Sequence, residues 1–140
     1  MVSLRFLLDT DALSEPLKPK PHPGFMRKIR LHTGGLAIAS TTWHEALFGL
    51  HRLSAGKRQQ EVRDYLFDVV GASVPILPYD DAAAEWHAQE RGRLAGLGHT
   101  APFADGQVAA VAKVQGLVLV TANVKDFDRF EGITVENWRR

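Results

Sequence analysis

Apolar residues in this chain fall into short dense runs, separated by stretches in which they recur every three or four positions. Residues 3–8, with Leu4, Phe6, Leu7 and Leu8, read as a buried strand. Leu36–Ala39 and Leu117–Val120 read the same way. Val74–Leu77, between Gly71 and Pro78, and Ile133–Val135 read as shorter strands. Between these runs the pattern predicts a helical turn over Thr10–Leu17 and helices over Phe25–His32, Trp43–Leu53, Arg58–Val70, Asp80–Leu97 and Phe103–Gln115. Pro16, Pro19, Pro21 and Pro23 keep the segment after the first turn from forming a regular helix. Gly34-Gly35 and Gly98 supply stop signals. Strands alternating with helices predict an α/β fold, a three-layer α/β/α sandwich with a mostly parallel central sheet.

The length of 140 residues suits one domain with a real core. No repeat, low-complexity tail or linker divides the chain, so residues 1–140 are expected to form a single domain. The absence of cysteine removes disulfides and thiolate zinc sites and fits a reducing compartment. No apolar run approaches the roughly 18 residues that span a bilayer, and no leader pattern opens the chain. The expectation is a cytoplasmic protein with no membrane partner. A net charge of +1 gives no overall bias toward polyanions, so any nucleic-acid contact must come from a local patch.

The apolar runs carry the candidate chemistry because carboxylates follow them. Residues 4–8 lead to Asp9, and Leu36–Ala39 leads through Ser40-Thr41-Thr42 to Glu45. Asp105 opens the segment before the last long run, which closes on Thr121-Ala122-Asn123. In a parallel sheet the carboxyl ends share one rim, where α/β folds bind ligands. Asp9, Glu45 and Asp105 are therefore expected to converge there, with Asn123 alongside. Clustered carboxylates repel one another unless a cation sits among them, and oxygen ligands suit Mg²⁺ or Mn²⁺.

Each acid also has a plainer reading. Asp9 stands where a helix cap would. Thr42-Trp43-His44-Glu45 matches a capping box, with Glu45 reaching back to the cap amide. Asp105 could answer the dipole of its helix. Asp11 reads as a first-turn acid, a partner to a ligand, or a ligand. Asp80 most simply caps the long helix. Capping and metal binding demand the same placement, an acid at a helix start on one rim. Zinc is excluded: His44-Glu45 opens like a zincin motif, but its second histidine would fall at Phe48, and His51 lies nearly two turns from His44. No nucleophile elbow, phosphate loop or dinucleotide fingerprint is present.

Four segments resemble PIN domains, especially the VapC-like toxins of toxin–antitoxin pairs. Phe6-Leu7-Leu8-Asp9-Thr10-Asp11-Ala12-Leu13-Ser14-Glu15 is similar to the family's opening. Ser40-Thr41-Thr42-Trp43-His44-Glu45-Ala46-Leu47-Phe48-Gly49 is similar to its strand-to-helix Glu motif, Ala104-Asp105-Gly106-Gln107-Val108-Ala109-Ala110 to its third acidic motif, and Leu119-Val120-Thr121-Ala122-Asn123-Val124-Lys125-Asp126-Phe127 to its last. They come in the family's order over almost the whole chain. The resemblance implies a divalent-metal-dependent endoribonuclease with an inhibitory antitoxin partner, and places Asp9, Glu45 and Asp105 at the metal-binding acidic positions. The chain departs from the fuller pattern at Asn123, where the family often carries an acid; Asp126, three residues later, could compensate, with Thr121 nearby.

Two other classes fit parts of the pattern. Asp9-x-Asp11 after an apolar strand resembles the nucleophile motif of haloacid-dehalogenase-like phosphatases, although Lys125-Asp126 does not supply the later Lys and paired acids. A non-catalytic PIN-like regulatory binding module is the other. An RNA substrate needs cations near the acids; the densest basic stretch is Lys18, Lys20, Arg27, Lys28 and Arg30, which also reads as a solvated loop and helix face. Large apolar side chains in the early helices, Leu13, Leu17, Phe25, Met26, Trp43, Leu47 and Phe48, lead to the expectation of a homodimer that binds its antitoxin through an apolar groove.

Overall fold

A computed structural model describes residues 3–140. Its centre is a sheet of five parallel strands in the order β3-β2-β1-β4-β5: β1 Phe6–Leu8, β2 Leu36–Ala39, β3 Ile76–Leu77, β4 Val118–Val120 and β5 Val135–Glu136. β1 lies in the middle, pairing Phe6 with both Leu36 and Val118, and Leu8 with Val120. Side chains alternate across a strand, and both faces are covered here, which is why the central strands read as unbroken apolar runs. Leu7, Ala37, Ala39 and Leu119 face one side, packed against α6 (Asp81–Gly96) and α7 (Phe103–Gln115). Phe6, Leu8, Leu36, Ile38 and Val120 face the other. There they meet α1 (Thr10–Ser14), α2 (Pro23–Leu31), α3 (Ser40–Arg52) and the helical stretch that begins with α4 (Lys57–Asp64). These are the three layers that the alternating pattern predicts.

Several boundaries differ from the sequence expectation for identifiable reasons. α3 begins at Ser40, directly on β2, because Ala39 is both the last strand residue and the N-cap, with φ −81° and ψ 153°. The stretch from α4 passes through a π-helical segment at Tyr65–Val70 into α5 (Gly71–Ser73). In that segment the Tyr65 hydroxyl donates to the Leu13 carbonyl at 2.6 Å, fixing the stretch to α1. Pro23 opens α2, where a missing N–H costs nothing. Asp80 caps α6 as expected, its carboxylate accepting from the Ala83 amide at 3.0 Å.

The sequence reading overlooked Trp138, which is fully buried against Phe6, Phe25 and His32. It also overlooked Glu15, a buried acid that binds Lys18 Nζ at 3.2 Å and Arg139 Nε at 3.3 Å. Among the described residues, no helix is long and apolar enough to cross a membrane.

Candidate active site

The pairing of β1 with β4 places Asp9 beside Thr121. The Asp9 amide donates to the Val120 carbonyl at 3.0 Å, and both residues emerge on the same rim. Asp9 occupies the N-cap position of α1, but its side chain makes no capping bond. Its carboxylate instead accepts from the Thr121 hydroxyl at 3.0 Å. The same hydroxyl lies 3.2 Å from Asp11 and accepts from the Asn123 amide at 3.0 Å. Asp11 also accepts from the Ala122 amide at 2.7 Å. Asp11 thus clamps the loop after β4 to α1, and Thr121 shares one proton between two carboxylates.

Glu45 reaches the rim from another element. The capping-box expectation fails: α3 starts before Thr42, so Glu45 is the sixth residue of the helix and has no cap amide to reach. Thr42 Oγ1 is buried, with no hydrogen-bond partner among the described residues. Asp105 is the third residue of α7, in its first turn. The helices carrying Glu45 and Asp105 are tied at their starts, where the Thr41 hydroxyl donates to Gln107 Oε1 at 3.2 Å. The sequence reading did not single out Thr41 or Gln107. Their signal was there, as polar residues at the head of helices that otherwise turn apolar.

These residues line one cleft of about 440 Å³, walled by Asp9, Asp11, Thr41, Glu45, Asp105 and Asn123. Asp126 stands just outside, on a 3₁₀ turn at Val124–Asp126, close enough for its charge to be felt by Asp105. Lys20, Arg27, Lys28 and Arg30 do not line the cleft. Lys18 lines an adjoining hollow with Asp11 and Asn123, its charge engaged by Glu15.

The electrostatics of the cleft show crowded negative charge. Burial pushes Asp9 up from 3.8 to about 6; hydrogen bonds from the Thr10 amide and the Thr121 hydroxyl oppose the rise, and the charges of Asp11 and Asp105 add to it. Asp105 is raised by burial first, then by Asp126 and Glu45. A cation in the cleft would relieve this repulsion. The lining donors are all oxygens, with no histidine among them, which suits a hard divalent ion and not zinc. No three Asp, Glu or His side chains among the described residues close tightly enough to enclose an ion unaided. The cleft has room for an ion that keeps several of its waters, as Mg²⁺ does.

An all-parallel α/β sheet with acids gathered on its carboxyl rim defines a class, and sequence comparison gives the same class: the PIN domain model matches residues 6–133, and the chain belongs to the PIN domain family. Within it, the chain is 32% identical over 135 residues to the tRNA(fMet)-specific endonuclease VapC of Salmonella typhimurium, covering 96% of this chain and 98% of that one. It is 30% identical over 124 residues to Toxin FitB of Neisseria gonorrhoeae, covering 86% and 89%. Among solved structures, FitAcB from Neisseria gonorrhoeae superposes with a TM-score of 0.84 at 27% identity, over 95% of this chain and 97% of that one. DNA-bound VapBC from Salmonella typhimurium superposes with a TM-score of 0.81 at 31% identity, over 96% and 98%.

Proposed function

We propose that this chain is a divalent-metal-dependent endoribonuclease that hydrolyses RNA phosphodiester bonds as the toxin of a toxin–antitoxin pair in the cytoplasm. The observation that carries the reading is the acidic cleft, where three elements bring Asp9, Glu45 and Asp105 together and Asp9 is held up to about 6 by burial and its acidic neighbours. The ribonuclease and toxin names of relatives aligned over nearly the whole chain support it. The phosphatase reading lacks the later Lys and paired acids that it needs, because Lys125-Asp126 does not supply them.

In this reading Asp9, Glu45 and Asp105 hold Mg²⁺ or Mn²⁺, and Asn123 offers an uncharged oxygen at the fourth position. The ion would lower the pKa of a water and stabilise the charge that develops on the phosphate oxygens. The chain's own part is positional. Thr121 and the Thr10 amide orient Asp9, Asp11 fixes the loop that carries Asn123, and the Thr41–Gln107 bond sets the spacing of the helices bearing Glu45 and Asp105. One of these carboxylates would also accept the proton of the attacking water.

Initiator tRNA is the first RNA to test, given the specificity named for the Salmonella relative. In Mg²⁺ the purified chain is expected to cleave it, and excess EDTA to stop cleavage until Mg²⁺ or Mn²⁺ is restored. Undiminished cleavage in EDTA, or none with either ion on any RNA, overturns the reading. Asn123→Asp adds a charge beside the site and is expected to tighten Mn²⁺ binding about tenfold, read by calorimetry, as extra ligand charge does. Unchanged affinity in that variant, with a loss in Asp126→Asn, would assign the fourth position to Asp126.

The cognate antitoxin is the proposed protein partner, since a solved relative from Mycobacterium tuberculosis is a member of the VapBC family of toxin–antitoxin systems. An apolar groove of about 390 Å³, lined by residues including Pro16, Met26, Ile29, Tyr65 and Val69, suits a helix of such a partner. Leu13 and Phe25, also expected to serve the partner, are core residues, whereas Phe48 is exposed. A homodimer belongs to the same proposal, with Phe48 and Phe67 as exposed apolar side chains for its interface.

A further inference from the structure

A second surface adjoins the acidic cleft and carries the opposite charge. Two pockets of about 190 and 140 Å³ run together between the end of α6 and the turn at Val124–Asp126, sharing Leu94, His99, Thr100, Ala101 and Phe130. Arg91 lines the first, and Lys125 and Arg129 line the second. None of these three cations forms an ion pair among the described residues; Arg129 instead contacts the ring of His99. Asp126 is the one carboxylate in the lining. On the opposite side of the cleft the cations are spent, because Lys18 and Arg139 both bind buried Glu15.

The bay lies beside the chemistry. Pro102 lines it three residues before Asp105, and its Asp126 is felt by Asp105. Against His87 and Arg91 of the bay stands Phe103, 50% exposed at the first position of α7. An exposed phenyl ring is ordinarily free to swing, but this one is held. Its centroid lies 4.8 Å from that of His87 and 6.5 Å from that of Tyr79, and the Arg91 guanidinium sits 5.3 Å from it. His87 is itself fixed by Tyr79, whose hydroxyl lies 2.8 Å from Nδ1. A rigid aromatic face beside unpaired cations is what single-stranded nucleic acid requires, since the ring stacks a base and the cations take the phosphates.

We propose that this bay binds the single-stranded RNA flanking the scissile phosphate, with Phe103 and Arg91 stacking an unpaired base and Lys125 and Arg129 holding backbone phosphates. The proposal rests on the ribonuclease reading above and names where its substrate lies. It favours RNA over a protein partner because the cations lie beside the acidic cleft, where a phosphate must come to rest.

The test measures binding of a short labelled single-stranded RNA, in Mg²⁺, to protein carrying Glu45→Gln so that chemistry does not interfere. Adding Arg91→Ala, Lys125→Ala and Arg129→Ala together is expected to weaken binding at least about tenfold and to make the salt dependence of log Kd shallower by about 1.4, at about 0.7 for each of the two phosphates that Lys125 and Arg129 no longer neutralise. Phe103→Ala is expected to weaken binding about tenfold with the salt slope unchanged, because stacking releases no counterions. The same surface substitutions in otherwise wild-type protein should raise KM in step with Kd, while Lys57→Ala on distant α4 should not. Circular dichroism and thermal melting confirm that each variant is folded. Binding by the triple variant within twofold of the parent overturns the bay, even if the wild type cleaves RNA. If the triple variant loses antitoxin capture but keeps its RNA affinity, the bay is a protein-docking surface and the proposal fails. A wild-type protein that cleaves no RNA overturns the ribonuclease reading instead, and the binding comparison still decides the bay.

Discussion

Asp9→Asn, Glu45→Gln and Asp105→Asn are each expected to reduce RNA cleavage at saturating Mg²⁺ by about a thousandfold, roughly 4 kcal/mol of lost transition-state stabilisation. Each removes one negative charge from the cleft and keeps the side-chain shape, so the fold should survive. The Asp9 variant carries a second signature that separates a metal site from a cap. In the metal-free protein Asp9 binds its proton with a pKa of about 6, against an ordinary value of 3.8. The folded state therefore holds more protons than the unfolded state between those values, and folding stability falls as pH rises through that window. Above pH 6 the charged carboxylate destabilises the fold. The full shift corresponds to about 3 kcal/mol, and solvent at the mouth of the cleft reduces it to about 1–2 kcal/mol. Asp9→Asn should accordingly stabilise metal-free protein by that amount at pH 7.5, with the gain fading below about pH 4. Urea unfolding at the two pH values checks it. A helix cap behaves differently: Asn caps about as well as Asp, so stability would stay nearly unchanged at both pH values while activity persists. Near-normal turnover by folded Asp105→Asn would sink the metal assignment.

Gly106→Ala is expected to cost about 3 kcal/mol of stability, far more than a surface Gly-to-Ala change in a helix, which normally gains. A Cβ at position 106 would lie 2.1 Å from His87 Nε2 and 2.6 Å from its Cδ2. The ring cannot step aside cheaply, since it is buried, bonded to Tyr79 and packed on Phe103. α7 would have to move away from α6, taking Asp105 out of the cleft, so activity should fall with stability. Adding His87→Ala to Gly106→Ala opens the space, and the pair should be more stable than Gly106→Ala alone, a non-additivity that urea unfolding reads directly. A Gly106→Ala protein as stable as wild type would show that the helices have room the structure does not grant them.

The sequence by itself determined the layer architecture. Leu36–Ala39 and Phe103–Gln115 fall within the boundaries that their apolar pattern predicts, because a strand buried on both faces and a helix beginning after Pro102 leave few alternatives. It also named Asp9, Glu45 and Asp105, since a parallel sheet sends its carboxyl ends to one rim. Tertiary structure decided what each polar group does there. Pairing of β1 with β4 brings Thr121 onto Asp9 and Asp11 across more than a hundred residues of chain, a contact that no local pattern encodes. The seamless passage from β2 into α3 cancelled a capping box whose spacing was correct, because helix start depends on where the strand ends and not on the motif. The basic surface shows the same limit. The densest run of cations in sequence lies away from the cleft or is neutralised by Glu15, whereas Arg91, Lys125 and Arg129, scattered along the chain, are gathered beside it by the packing of α6 and the turn after β4. Local pattern fixes which residues are helix, strand and core, because those are short-range and periodic properties. Partners for buried and charged side chains come from elements far apart in the chain, and only the packed fold brings them together.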